Sequence, residues 1–230
     1  GVVVGASLAT DDTKSSAANA SSAISKAAAI NRVAEQSGVH ATVGKTVAFG
    51  SKMTPAAEDG TLVINGVSTA TIYTTDDAEL SRAAVMTAIN NISGQTGVKA
   101  VNTHDDNQGI VLVAEDGRNI DLDLNDMTAA ATGLGASHVY EGTYELNTLD
   151  GRAINVSSNV SGTLSHSGLN FGSFAADTAQ AVSLARKPQE TAAAPSVGTS
   201  AGTETGVFNG NTLVLNGVGI DAANANDDQA

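Results

Sequence analysis

Two phrases recur in this chain, and they recur at different separations. The phrase TLVINGV at Thr61–Val67 returns as TLVLNGV at Thr212–Val218. A second phrase, INRVAEQSGVHA at Ile30–Ala41, returns as INNISGQTGVKA at Ile89–Ala100. Because the two separations differ, the chain contains a reused module rather than a regular solenoid array. Such reuse favours an architectural role, since a catalytic centre needs one unique constellation of residues.

The composition predicts a folded chain with an acidic surface. The 230 residues can bury a core, but only 3% of them are aromatic, so the core is expected to form through many small contacts. The formal net charge of −13 and the scattered lysines and arginines argue against nucleic acid and anionic membrane surfaces as partners. No apolar run approaches the roughly 18–20 residues that span a bilayer. The lack of cysteine excludes disulfides and thiolate metal sites.

The pattern before residue 61 predicts a helix followed by a strand. Apolar residues recur at three- and four-residue steps from Ser22 onward, and Gly38 is well placed to end that helix in a left-handed conformation. Alternation over Val39–Val47 predicts a strand. Gly50–Gly60 contains Pro55 and a Glu-Asp-Gly turn, which indicates a boundary between subdomains.

The best-formed module opens with the strand Thr61–Val67, in which Asn65-Gly66 signals a turn or bulge. Three residues are candidate N-caps for the helix that follows: Thr75, Asp76 and Asp77. The apolar face of this helix is formed by Leu80, Ala84, Val85, Ala88, Ile89 and Ile92. The helix is expected to end near Gly94–Gly97 and to lie across one face of a sheet.

The rest of this module is predicted to be an antiparallel meander. Val98–Asn102 and Ile110–Ala114 are strands that flank a polar turn at His104–Gly109. Asp116-Gly117 predicts a hairpin turn into a third strand, Ile120–Leu124, in which apolar and polar residues alternate. The sequence therefore predicts an α+β fold of repeated strand–helix–meander modules, mostly antiparallel sheet with short helices packed on one face.

Parts of this pattern return later in the chain. Tyr144–Val156 repeats the two strands and their turn, with DGRNI becoming DGRAI. Phe174–Leu184 is a candidate short helix, and Arg186–Thr205 is a candidate linker. Thr212–Val218 is interpreted as the opening strand of a further module whose helix would follow. Because the small, acidic tail after it resembles Thr10–Ala20, the chain is expected to be an internal fragment that begins and ends at equivalent points of a repeat.

Candidate chemistry is sparse, and no catalytic, cofactor-binding or metal-ligating residue is assigned. The histidines form no zinc motif and stand alone in the sequence: His40, His104, His138 and His166. The acidic run Asp105–Gly109 comes closest to a calcium loop, but it lacks the EF-hand spacing, and a turn between two strands explains it more simply. The chain is therefore not expected to be an enzyme.

The repeated phrases resemble the Asn-Gly-centred repeat of bacterial flagellins. The resemblance is carried by LVINGV at Leu62–Val67, by LVLNGV at Leu213–Val218, and by two segments of the AIN-x5-TGV type, at Ala29–Val39 and Ala88–Val98. The DGRNI and DGRAI turns fit the same pattern. In that family the repeat lies in the variable middle of the filament subunit, and it also occurs in the related filament-cap protein.

The resemblance implies a structural subunit of the flagellar filament, with this region extracellular and exposed on the filament surface. It would contribute to motility and antigenicity, with neighbouring flagellin subunits as partners and host antibodies or surface glycans as further ligands. Because the long terminal helices of a flagellin are absent from this fragment, it is expected to be monomeric. By analogy with inserted outer domains, residues 1–55 with 157–230 are predicted to form an inner domain and 56–156 a distal insert.

Two alternatives stay open at this point. A fragment of the filament-cap protein would carry the same repeat, form a ring-shaped oligomer and have different flanking helices. A cell-surface adhesin or polysaccharide-binding module would need exposed aromatic contacts, for which Tyr140 and Tyr144 are the candidates.

Overall fold

The computed structural model describes residues 2–148, 150–157, 167–170, 172–175 and 214–215. The predicted linker at Arg186–Thr205 lies outside the described residues, as do His166 and most of the predicted helix at Phe174–Leu184. Phe174 itself ends a β-strand and does not begin a helix.

The described chain is an α+β fold, as predicted. Its helices are short: α1 (Ala23–Asn31), α2 (Ala34–Ser37), α3 (Ala78–Asn91), α4 (Ser93–Thr96) and α5 (Ala129–Thr132). Its strands are β1 (Val2–Val3), β2 (Val39–Val43), β3 (Thr46–Ala48), β4 (Asp59–Gly60), β5 (Val63–Ile64), β6 (Val67–Ser68), β7 (Ile72–Tyr73), β8 (Lys99–Asn102), β9 (Ile110–Ala114), β10 (Ile120–Asp123), β11 (His138–Tyr140), β12 (Tyr144–Thr148), β13 (Ile154–Ser157), β14 (Gly172–Phe174) and β15 (Val214–Leu215). The strand pairs among these residues are antiparallel.

The chain divides into two compact units, each with its own core. The first unit comprises the described parts of 1–13, 18–43 and 143–230, and the second comprises 14–17 and 44–142. The predicted domains, 1–55 with 157–230 and 56–156, differ from these units at both boundaries. Strand pairing is the reason, because β3 pairs with β9 in the second unit, whereas β12 pairs with β2 in the first.

The first unit packs α1 against β2, which forms a two-stranded sheet with β12. A four-stranded sheet in the order β1-β15-β13-β14 completes it. Its core is mostly aliphatic and consists of Val4, Ala23, Ala27, Ala29, Ile30, Val39, Ala41, Tyr144, Leu146, Ile154, Val156 and Leu169. The single helix predicted from Ser22 to Gly38 is in fact two helices, α1 and α2, but its two ends are confirmed. The Ser22 hydroxyl accepts a hydrogen bond from the Ser25 backbone N–H at 3.1 Å, and Gly38 follows α2 with φ 71°.

The second unit packs α3 against β8 of a three-stranded sheet in the order β3-β9-β8. It also holds a sheet in the order β11-β10-β5-β6 and the pair β4-β7. Its core consists of Ala48, Leu62, Ile64, Ile72, Val85, Ile89, Val98, Ala100, Ile110, Leu112, Ala114, Ile120, Leu122, Leu124, Met127 and Leu134. Among the candidate caps, Asp77 begins α3, since its Oδ1 accepts from the backbone N–H groups of Glu79 and Leu80.

Two predicted strand arrangements are wrong. The predicted strand Val39–Val47 is in fact two strands, β2 and β3, which belong to different units. The predicted meander breaks at Asp116-Gly117, because β9 pairs with β8 and β3, whereas β10 pairs with β5 and β11. This turn therefore passes the chain from one sheet to another and does not close a hairpin.

The second copy of the repeated phrase also has a different place from the one expected. Val214–Leu215 form β15, which lies between β1 and β13 in the first unit. This strand completes a sheet to which earlier parts of the chain already contribute. The expectation that it opens a separate module is therefore wrong, and the residues that would hold the expected helix lie outside the described part of the chain.

The apolar face of α3 begins later than predicted. Leu80 is 61% exposed, while Ser81 and Arg82 are buried at the start of the helix. The Ser81 hydroxyl pairs with backbone groups of the residues that precede the helix. It accepts a hydrogen bond from the Thr75 N–H at 2.9 Å and donates one to the Asp77 carbonyl at 2.8 Å. Burial of a small polar group at this position is stable because its hydrogen bonds are made.

Candidate functional site

The histidines that the structure describes do not assemble into a metal site. The His104 Nδ1 atom lies 3.0 Å from Glu79 Oε1, and the His138 ring meets the Tyr140 ring edge-on with centroids 5.4 Å apart. His40 is exposed on β2. Within the described ranges no group of three or more histidine, aspartate or glutamate side chains is placed to hold a metal ion.

The acidic loop at Asp105–Gly109 is organised by its own hydrogen bonds. Asp105 Oδ1 accepts from the backbone N–H of Asn107 at 2.8 Å, and its Oδ2 accepts from the side chain of Gln108 at 3.0 Å. These bonds, chiefly those from Asn107, hold the pKa of Asp105 below its usual value. The carboxylate therefore acts as the internal acceptor of a turn, which is the simpler of the two sequence interpretations.

A buried arginine ties this loop to the first turn of α3. The Arg82 side chain is 4% exposed, and its guanidinium pairs with Glu79 at 2.7 Å and with Asp106. Arg82 sits in the buried stretch of α3, where sequence periodicity predicts an apolar residue. The only signal in the sequence was the Glu79–Arg82 spacing of three residues, which suits an ion pair on a helix. This cluster therefore fixes the loop to the start of the helix.

The two tyrosines that an adhesin would use are not an exposed aromatic pair. Tyr144 is fully buried, and its hydroxyl donates to the Ser167 carbonyl at 2.6 Å. Tyr140 is partly buried, its hydroxyl donates to the Ala136 carbonyl at 2.8 Å, and burial raises its pKa. Tyr144 therefore belongs to the core of the first unit and is not an exposed aromatic contact of the kind that the adhesin alternative needs.

A cavity of about 510 Å³ lies in the first unit. It is lined by Val2, Gln36, Ser37, Gly38, Thr148, Asp150, Arg152, Ala153 and Asn155. Its charged residues neutralise one another, since Arg152 Nε donates to Asp150 Oδ2 at 2.5 Å and helps to lower the pKa of that carboxyl. In the sheet of the first unit, β15 lies between β1 and β13, each of which contributes a residue to the cavity lining. The residues that follow β15 lie outside the described residues. We therefore assign no ligand to it.

The outer face of the sheet β3-β9-β8 is the candidate interaction surface. The inner face carries Ala48, Leu112 and Ala100, which are paired across the strands and buried in the core. Because side chains alternate along a strand, the neighbours of these residues point to the opposite face. That face, called the valine face below, consists of Val47, Lys99, Val101, Val111 and Val113, and Phe49 is the residue that directly follows β3.

The valine face is apolar and open to solvent at one end. Phe49 is 56% exposed and Val101 is 51% exposed, and Val101 pairs directly with Val111. Lys99 adds a positive charge to the face within a chain whose formal net charge is −13. Neighbouring exposed apolar side chains on one sheet face are typical of a protein–protein contact. Among the described residues, the valine face is therefore the candidate binding surface.

Neither the family models nor the curated proteins that were searched match this chain. The helices in the described part of the chain include none of the length and apolar character that crossing a membrane requires.

Proposed function

We propose that this chain is the surface-exposed outer region of a flagellin-type subunit, and that its job is structural. In the intact protein it projects from an extracellular filament, where it contributes to the filament surface, to motility and to antigenicity. Its partners are the neighbouring subunits of the same filament. The proposal includes no enzymatic activity and no cofactor.

The observation that carries this proposal is the place of the Asn-Gly phrase in the fold. Thr61–Val67 forms a tight hairpin, in which Ile64 pairs with Val67 across Asn65-Gly66. Both central residues have positive φ, 51° and 79°, as a type I′ turn requires. The phrase is therefore a structural element of a small module, as expected for a repeat that builds the outer part of a filament subunit.

The valine face supports the proposal of subunit partners. An exposed apolar face is a liability for an isolated chain but a useful contact where identical copies lie side by side at high local concentration. The acidic remainder of the chain keeps the surface soluble between such contacts.

Immunogold electron microscopy with antibodies raised against this chain tests the proposal. Gold is expected along the whole length of extracellular filaments on the native cell. Serum that has been absorbed with the purified chain is the control and should leave the filaments unlabelled. Label confined to filament tips would replace the proposal with the cap protein, and label on cells without filaments would replace it with an adhesin.

A further inference from the structure

We infer that the two units are copies of one module, and that the first unit is a circularly permuted copy which carries residues 44–142 of the second unit between two of its paired strands. The inference explains why the two repeated phrases recur at different separations. It rests on strand registers and side-chain contacts within each unit and is independent of the proposed function.

The first argument is the register of the strands that follow the helices. In the second unit Ala100 pairs with Leu112 and Asn102 pairs with Ile110. In the first unit Ala41 pairs with Leu146 and Val43 pairs with Tyr144. Ala41 and Ala100 close the two copies of the second phrase, so the same residue of the phrase takes the same place in both ladders.

The second argument is an asparagine that clamps each helix to its strand. Asn90 Oδ1 accepts from the Ala100 N–H at 2.9 Å, and its Nδ2 donates to the Ala100 carbonyl at 3.1 Å. Asn31 does the same to Ala41, at 2.7 Å and 2.9 Å. Each side chain therefore fills both hydrogen-bonding positions of one backbone residue, at equivalent points of the repeated phrase.

The third argument is the turn that joins helix to strand. Ser37 and Thr96 occupy the same place in the phrase, and each hydroxyl accepts from a backbone N–H two residues later, at 3.1 Å. The glycines that follow have φ values of 71° and 72°. A Cβ at either glycine would approach the guanidinium of the arginine in the matching Asp-Gly-Arg turn, Arg152 in the first unit and Arg118 in the second.

The fourth argument places the Asn-Gly phrase itself. In the second unit β5 pairs with β10, so that Ile64 lies opposite Leu122. In the first unit β15 pairs with β13, so that Leu215 lies opposite Val156. Ile64 and Leu215 hold the same position in TLV(I/L)NGV, and the strands they pair with each follow an Asp-Gly-Arg turn.

The order of these elements along the chain reveals the permutation. The second unit runs from the Asn-Gly strand through the helix to the paired strands. In the first unit α1 and the paired strands β2 and β12 come before the Asn-Gly strand, which is Val214–Leu215. Between Asn102 and Ile110 the second unit has a short loop, whereas between Val43 and Tyr144 the first unit has residues 44–142, which are all of the second unit except 14–17.

The insertion leaves the host module intact because it enters and leaves at one strand pair. Val43 and Tyr144 are direct partners in the β2-β12 ladder, and such partners lie about 5 Å apart. That spacing is the one a two-residue turn closes, as Asn65-Gly66 does between Ile64 and Val67. Each unit also keeps its own core cluster.

Matched substitutions in the full chain test whether the units are equivalent and separate. Asn31→Ala and Asn90→Ala each remove one clamp, and hydrogen exchange measured by mass spectrometry locates the effect. Asn90→Ala should raise exchange across 44–142 and leave the described parts of the first unit unchanged, and Asn31→Ala should do the reverse. Faster exchange throughout both units for either variant would overturn the inference.

Removal of the insert tests the permutation directly. In this variant Asn-Gly replaces residues 44–143 and joins Val43 to Tyr144. We expect cooperative thermal unfolding, and we expect Asn31→Ala to lower the midpoint in the shortened chain by the same amount as in the full chain. A shortened chain that lacks a cooperative transition, or that does not respond to Asn31→Ala, would show that the first unit is not a complete module.

Discussion

The backbone and side chain of Asn65 both bond to Asp121. The Asn65 N–H donates to the Asp121 carbonyl at 2.9 Å, and Asn65 Oδ1 accepts from the Asp121 N–H at 2.8 Å. The remaining amide hydrogens reach the Thr96 carbonyl, 2.9 Å away. One turn residue thus links the hairpin to β10 and to the end of α4, which explains why the phrase carries asparagine before its glycine.

Two substitutions of Asn65 separate the stability that its side-chain hydrogen bonds contribute from the cost of its left-handed backbone conformation. Asn65→Gly accepts the positive φ but loses the side-chain bonds, so it should lower the free energy of unfolding by about 1–3 kcal/mol. Asn65→Ala loses the same bonds and must also adopt a left-handed conformation, which adds about 1–2 kcal/mol. Urea unfolding measures both. Equal stability of the glycine variant and the parent chain would show that the side-chain bonds contribute nothing.

Replacement of Arg82 should be costly because its guanidinium is buried between two carboxylates. Arg82→Ala leaves a cavity and removes both pairings, so we expect a loss of about 2–4 kcal/mol in urea unfolding. Arg82→Met keeps most of the volume and should lose less. The matched control is Glu79→Gln, which alters a partly exposed member of the cluster and should cost less than Arg82→Ala. A methionine variant as stable as the parent would mean that the ion cluster adds no stability.

Asp116 should give the second unit a measurable acid sensitivity. Hydrogen bonds from Arg118 hold the pKa of Asp116 below its ordinary value, against the opposing effect of burial. A carboxyl whose folded pKa is depressed stabilises the fold above its unfolded pKa of about 3.9, and that stability is lost as the pH falls through the folded value.

The variant Asp116→Asn should therefore be less stable than the parent at pH 7, by about 1 kcal/mol. The difference should shrink below about pH 4 and vanish once Asp116 is protonated in the parent. Thermal unfolding across this range measures it, with the exposed Asp76→Asn as the matched control. A gap that persists unchanged at pH 2 would contradict the electrostatic origin.

Labelling of the valine face can show whether it is a contact between subunits. The chain has no cysteine, so Val101→Cys introduces a single thiol on the valine face and Ser68→Cys introduces one on an exposed position of another sheet. Both thiols should react with a maleimide at similar rates in the isolated chain, which we expect to sediment as a monomer. In assembled filaments only Val101→Cys should react more slowly. Equal rates in filaments would exclude the face as the contact.

Local features of the fold were predictable because they depend on neighbouring residues. Ser22 and Asp77 begin helices, and Gly38 and Gly97 end helical segments, as their side chains and positive φ values require. The strands β8 and β9 and the turn between them also follow from alternation and polar composition. The absence of an assigned catalytic residue remains a prediction that no observation here tests.

Partner choice between strands was not predictable from the same patterns. Ile120, Leu122 and their polar neighbours alternate equally well whether β10 pairs with β9 or with β5, since alternation fixes the face and not the neighbour. The boundary between β2 and β3 was not predictable for the same reason, because alternation does not show which sheet a strand joins. The valine face was not predicted from the sequence, because its residues come from three strands and their alignment is established only in the folded sheet.

The late position of β15 has a consequence for how the molecule acquires its structure. The second unit is complete once residue 142 has been made, whereas the sheet of the first unit still lacks β13 and β15 at that stage. Chains fold domain by domain as they emerge from the N-terminal end. The inserted unit is therefore expected to fold first, and its folding brings the chain on either side of it together. That shortens the loop which β2 and β12 must close and lowers the entropy cost of the last step.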